Sequence, residues 1–137
     1  MSKYLGIDAS TQSMTALIID VEATPRIAVE ESVIFDEHFG GRYGVENGTI
    51  DLGGGQVHAP PLMWVEALDL LLAKLCDHGH DLSRLRAVAG SGQQHGTVYL
   101  NQTAAPALAG LDPARTLAAQ LAGVFSRATS PIWMDTS

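Results

Sequence analysis

Residues 4–20 read Tyr4-Leu-Gly-Ile-Asp-Ala-Ser-Thr-Gln-Ser-Met-Thr-Ala-Leu-Ile-Ile-Asp20, two apolar runs joined by a short polar turn. The pattern predicts a β-hairpin, with Tyr4, Leu5 and Ile7 in one strand and Met14 through Ile19 in the other. The connection, Asp8 through Ser13, carries one carboxylate and the hydroxyls of Ser10, Thr11 and Ser13. Hydroxyls and free backbone N–H groups at a hairpin turn are donors, and clustered donors suit an anion such as phosphate. Asp8 opposes that ligand. A carboxylate ~4 Å from a phosphate is repelled by about 4 kcal/mol at an effective dielectric of roughly 20, so the pairing requires a cation between them. Magnesium fits, because it prefers oxygen ligands, keeps several waters and takes one or two carboxylates together with phosphates. The alternative is a polar turn whose Asp8 and serines satisfy their own backbone.

Working outward, Arg26 through Phe35 places apolar residues at 27, 29, 33 and 35, which predicts a third antiparallel strand with an irregularity at the Glu30-Glu31 pair. From Asp36 to Pro60 the composition shifts to seven glycines, including Gly53-Gly54-Gly55, and few large apolar residues, the signature of a long mobile loop. A P-loop is excluded there, since no Lys-Ser/Thr follows the glycines. Pro60-Pro61 opens a helix over 61–76, with Leu62, Trp64, Val65, Leu68, Leu71, Leu72 and Leu75 on its period and Gly79 ending it. His78 and His80 straddle that glycine as a solvated helix end. Leu85 through Gly90 is short and apolar and predicts a central strand parallel to the first. Thr97 to Leu100 predicts a strand, Asn101 to Gly110 an Ala-rich connection, and Asp112-Pro113 the start of a helix carrying Leu117, Leu121, Val124 and Phe125. Pro131 through Met134 returns to the sheet.

One further stretch carries chemistry. Ser91-Gly-Gln-Gln-His-Gly96 follows a strand and is flanked by Gly92 and Gly96, which permit tight turns and close approach of a ligand. Amides and imidazoles each donate and accept hydrogen bonds, as a polyhydroxylated sugar requires, although a polar loop reads the same way.

Gly6-Ile-Asp-Ala-Ser-Thr-Gln-Ser13 resembles the first phosphate motif of the FGGY carbohydrate kinases, in the actin-like ATPase superfamily. Pro61-Leu-Met-Trp-Val-Glu-Ala-Leu-Asp69, Gly90-Ser-Gly-Gln-Gln-His-Gly-Thr-Val-Tyr99 and Pro131-Ile-Trp-Met-Asp-Thr-Ser137 are most similar to its xylulose kinase branch. The resemblance implies an α/β, ribonuclease-H-like lobe: a mixed sheet with three successive antiparallel strands, then alternating helices and strands. It implies ATP and Mg2+ as cofactors and transfer of the γ-phosphoryl group to xylulose. Asp8 takes the catalytic, metal-organising role, Ser10, Thr11, Gln12 and Ser13 the phosphate-binding role, and Gln94, His95, Trp133 and Asp135 the substrate-binding role. Residues 1–137 then form an incomplete N-terminal lobe whose partner is a C-terminal lobe of the same protein. The family's catalytic base, second phosphate loop and adenosine motif lie further along, so 137 residues alone are expected to be inactive. Ribulose, glycerol or gluconate are alternative substrates of the same family, and a non-catalytic sugar-binding module is the alternative of a different class.

Composition agrees with a globular domain. Hydrophobic residues make up 46% and charged residues 17%, low enough to suggest surface covered by another domain or subunit. A chain of this size buries roughly 68–70% of its unfolded surface. The net charge of −7 and the absence of a Lys/Arg cluster argue against a nucleic-acid or acidic membrane partner. No run approaches the ~18 apolar residues of a membrane span and no signal peptide is present, so a cytoplasmic protein is expected. Cys76 lies in an apolar pattern and is expected to be a buried core thiol. A sheet face left open by a missing lobe is expected to favour homo-oligomers.

Overall fold

The alternation over residues 3–20 produces the hairpin. In the computed structural model, which describes residues 2–22 and 24–137, strand β1 (Lys3–Ala9) pairs antiparallel with β2 (Ser13–Asp20), from Lys3↔Asp20 to Ala9↔Met14. Strand β3 (Arg26–Ile34) pairs antiparallel with β2. The irregularity falls at Ala28, between the pairs Ile18↔Val29 and Ile19↔Ile27, and not at Glu30-Glu31. An extra residue reverses the facing of what precedes it. Val29 and Val33 therefore face the core, while Ile27 turns to the opposite face and is 60% exposed.

After β3 the chain makes a helix and a hairpin where the composition predicts a loop. Helix α1 (Phe35–Tyr43) buries Phe35 and Phe39 and ends at Gly44, whose φ of 68° lets its N–H reach the Gly40 carbonyl at 2.8 Å. Strands β4 (Ile50–Gly53) and β5 (Gln56–Ala59) turn through Gly53, Gly54 and Gly55, all at positive φ.

Helix α2 (Pro61–Asp77) crosses the sheet, with Met63, Ala67, Leu71 and Leu75 fully buried, one every four residues. They join Leu5, Met14, Ala16, Ile18 and Val33 in the main core. Met63 and Ala67 centre the seam because the helix has a second apolar side: Val65 packs on the smaller cluster of Ala104, Leu121 and Val124. Leu71 has no exposed surface, so Leu71→Ala is expected to lower stability by about 2–5 kcal/mol. Urea denaturation tests this, and a loss under 1 kcal/mol would show that the seam collapses around the cavity. Cys76 lies one residue beyond Leu75, roughly 100° round the helix from the seam, and is exposed rather than buried. Gly79, at φ 83°, lets His80 N–H reach the Leu75 carbonyl at 3.0 Å, and His78 pairs through Nδ1 with Glu31.

Strand β6 (Leu85–Gly92) runs parallel to β1, as predicted, and gives the order β3-β2-β1-β6. It is an edge strand here and not a central one, because the last segment joins another sheet. Strand β7 (Ser130–Pro131) pairs with β5, and the three form the order β4-β5-β7. Between them lie α3 (Ala104–Ala109), within the expected connection, and α4 (Leu117–Leu121). Residues 97–100 form no strand, only a single bridge from Leu100 to Phe125. Helix α4 starts later than Asp112 and is capped from two sides. Thr116 Oγ1 accepts from Ala119 N–H, and Asp69 of α2 accepts from the N–H groups of Leu117 and Ala118 at 2.9 and 2.8 Å. Asp112 instead closes a turn by accepting from Ala114 N–H.

The sheet face opposite α2 is uncovered, with Tyr4 and Ile27 exposed on it. Among the described residues, no helix is long and apolar enough to cross a membrane.

Candidate functional site

The turn between β1 and β2 is rigid by its own hydrogen bonds. Ser10 N–H and Ser10 Oγ both donate to the Ser13 carbonyl, at 2.9 and 3.0 Å, and the two serine hydroxyls lie 3.1 Å apart. From outside, the Gln12 carbonyl accepts from Phe35 N–H at 2.9 Å. Gly48 presses on the other side. A Cβ at that position would lie 2.0 Å from the Thr11 carbonyl oxygen and 2.9 Å from Gln12 Cα. Asp36 holds Gly48 there by accepting from the N–H groups of Asn47 and Gly48 at 2.6 and 2.7 Å.

A groove of about 450 Å³ opens beside this turn. Ser10, Thr11, Gln12 and Ser13 form one wall, Asn47 and Thr49 a second, Trp133 and Met134 a third. Trp133 Nε1 donates to Thr11 Oγ1 at 3.0 Å, joining residues 122 positions apart. Asp8 lies on the uncovered sheet face, beside a separate cavity of about 290 Å³ that it shares with Thr15, Gly90 and Ser91. Its carboxylate accepts from the Ser91 hydroxyl.

The Gln93–Gly96 turn is brought to the same end of the sheet. Gln93 N–H donates to the Ala9 carbonyl at 3.0 Å, and Thr97 N–H to the Pro131 carbonyl at 3.1 Å. Gln94 and His95 are exposed, and His95 adopts φ 59°, left-handed backbone that is uncommon outside glycine. The fourth substrate residue of the sequence reading points elsewhere. Asp135 Oδ2 accepts from Val57 N–H at 3.1 Å and lies 3.3 Å from His58 Nε2, while Oδ1 accepts from Ser137 N–H and Oγ at 3.1 and 2.8 Å. The Ser137 hydrogen bonds hold its carboxyl below the ordinary carboxylate range. A depressed folded value means that this stabilisation is present above the ordinary range and is lost as pH falls through the lowered value.

Asp36, Asn47, Gly48 and Thr49 belong to the site but lie in the stretch that composition marks as loop. The Asn47-Gly48 dipeptide, a turn signal, is the clue in the sequence. Among the described residues, no three His, Cys, Asp or Glu side chains converge as a metal cage. A magnesium at Asp8 would therefore rely on one carboxylate together with water and phosphate oxygens, a donor set this ion accepts.

No family model matches the chain. It is 43% identical over 138 residues to xylulose kinase 2 of Arabidopsis thaliana, an alignment that takes in 99% of this chain and 24% of the relative. Xylulose kinase of Mus musculus gives 43% over 140 residues, with 97% and 24% covered. The chain is a homologue of the xylulose kinases. It spans about a quarter of the length of the curated relatives it matches. Among solved structures, xylulose kinase from Lactobacillus acidophilus superposes with a TM-score of 0.64 at 15% identity, covering 98% of this chain and 20% of that one. Gluconate kinase from the same organism gives 0.63 at 15%, with the same coverage. The fold is accordingly the actin-like ATPase fold of the FGGY sugar kinases, mixed α/β with a mixed sheet. It does not discriminate between the two sugars.

Proposed function

We propose that residues 1–137 form the first part of the N-terminal lobe of an ATP-dependent kinase that phosphorylates D-xylulose to xylulose 5-phosphate. The observation that carries this reading is the groove in which the Ser10–Ser13 turn meets Trp133, two motifs far apart in sequence joined by one hydrogen bond. The turn faces the transferring phosphoryl group with its hydroxyls and backbone, and the exposed Trp133 ring offers an apolar wall to the sugar. Gln94 and His95 approach from the neighbouring turn and hydrogen-bond the sugar hydroxyls. Phosphoryl transfer demands positioning and charge stabilisation more than covalent help. Magnesium, when bound, would neutralise charge on the phosphates, and Asp8 is the residue that would hold it. The catalytic base and the adenosine site come from outside these residues, which are expected not to turn over by themselves. The uncovered sheet face is buried by the remainder of the protein or by a second copy.

Two observations support a substrate role for His95: its left-handed backbone, which costs of order 1–3 kcal/mol and is retained where function uses it, and its place after a strand parallel to β1. A hydrogen bond to the sugar contributes about 0.5–1.5 kcal/mol net. His95→Ala in the intact protein is therefore expected to raise the xylulose KM by about twofold to tenfold and leave the ATP KM unchanged. Equal changes in both constants would remove His95 from the sugar side.

A further inference from the structure

We propose that Asp135 and His58 act together as a latch, positioning Trp133 against the Ser10–Ser13 turn without touching the substrate themselves. Both carboxylate oxygens of Asp135 are engaged inside the chain. One faces Val57 N–H and His58 Nε2, the other the N–H and hydroxyl of Ser137. A carboxylate with its acceptor sites used in this way is poorly available to a sugar hydroxyl. His58 spans the same segment from its other nitrogen, with Nδ1 3.0 Å from Thr129 Oγ1. One imidazole on β5 thus grips residues 129 and 135, on either side of Trp133.

The backbone completes the grip. His58 pairs with Pro131 and Ala59 with Ser130, Ile132 N–H donates to the Val57 carbonyl at 3.2 Å, and Thr136 N–H donates to the Gly55 carbonyl at 2.9 Å. Asp135 N–H closes the turn onto the Ile132 carbonyl at 2.9 Å, so Trp133 and Met134 form its tip. Ile132 is buried beneath that tip, whereas Trp133 is 55% exposed and is held at its far end by the Thr11 hydroxyl. An indole with so little packing around it has several rotamers open to it. Its place over the groove depends on where the turn carries its Cα, and the latch fixes that. The β4–β5 hairpin, remote from Trp133 in sequence, thereby becomes a support for the site.

The kinetic consequence rests on the reading of Trp133 as the sugar wall, and the latch itself is tested separately. The intact protein is labelled with 5-fluorotryptophan, and the Trp133 fluorine resonance is assigned by its loss in Trp133→Phe. In Asp135→Ala and His58→Ala that resonance is expected to narrow and move toward the position of free fluorotryptophan. The xylulose KM is expected to rise about tenfold, with kcat and the ATP KM within twofold of the parent. Asp135→Asn, which keeps one acceptor oxygen, is expected to fall between, and it serves as the readable variant if the alanine forms unfold. Thr11→Val, which removes the far partner and spares the latch, is expected to move the same resonance. An unmoved Trp133 resonance in folded Asp135→Ala and Asp135→Asn overturns the latch. So does a raised xylulose KM with that resonance in place, which would mean that Asp135 meets the sugar directly. A moved resonance with an unchanged xylulose KM keeps the latch and overturns the sugar-wall reading.

Discussion

Asp8→Asn in the intact protein is expected to lower kcat by about a hundredfold to a thousandfold, the range seen when one electrostatic partner of a transition state is removed, while the xylulose KM stays within about threefold. The substitution keeps size and hydrogen-bonding capacity, so the Ser91 contact has a partner still. What it removes is charge. Negative charge spreads over the phosphoryl oxygens during transfer, and on the proposed reading a metal held by Asp8 would answer it. On that reading the sugar packs on Trp133 in the groove and the metal, not the sugar, meets Asp8 on the uncovered sheet face. Steady-state kinetics with each substrate varied in turn separates the two effects. A large rise in xylulose KM with kcat retained would place Asp8 on the sugar and overturn its assignment.

Gly48→Ala is expected to be nearly as damaging, although Gly48 touches no proposed ligand. Its φ is 74°, and an added methyl would stand 2.0 Å from the Thr11 carbonyl oxygen and 2.9 Å from both Thr11 C and Gln12 Cα. Those are backbone atoms, so no rotamer change relieves the contact. Left-handed strain at roughly 1–2 kcal/mol and overpacking at roughly 1–3 kcal/mol together predict a loss of about 2–5 kcal/mol. If the fold survives, the Ser10–Ser13 turn must shift by about 1 Å, a displacement that can reduce kcat on the order of a hundredfold. Gly53→Ala is the control. Its φ is 81°, but an added methyl there meets nothing within 4 Å. It carries only the backbone strain and is expected to leave kinetics unchanged. Thermal unfolding and kcat measured on both variants decide the matter, and equal behaviour of the two would show that the turn does not depend on Gly48.

The contrast between these glycines also shows what the sequence makes legible. The hairpin of β1 and β2, the third strand and helix α2 follow from local periodicity, because each buries one face and repeats every two or every 3.6 residues, whereas β6 is legible only as a short apolar run and is exposed beyond Leu85. Residues 36–60 do not, since their order comes from contacts distant in sequence. Asp36 reaches Asn47 and Gly48, β5 finds its partner at Ser130 and Pro131, and Gly48 packs on Thr11. A glycine needed for close approach and a glycine in an open turn look the same in composition. The start of α4 was hidden for the same reason, as Asp69 supplies its cap from another helix. The bulge at Ala28 is hidden in the sequence because the charges of Glu30 and Glu31 look like the interruption, whereas the register across β2 sets it. In the site, the motif residues Asp8, Ser10 to Ser13, Gln94, His95 and Trp133 were legible as chemistry. Asp135 was legible as part of the same motif, but its contacts with Val57, His58 and Ser137 could be seen only in three dimensions.

The proposed activity is tested most directly by ADP release from the intact protein, followed with ATP and magnesium against D-xylulose, D-ribulose, glycerol and gluconate side by side. A pocket that hydrogen-bonds one set of hydroxyls rejects analogues that leave those groups unpaired, so kcat/KM for xylulose should exceed the others by roughly a hundredfold or more. Sugar-independent ADP release, no release at all, or a preference for gluconate would contradict the assignment.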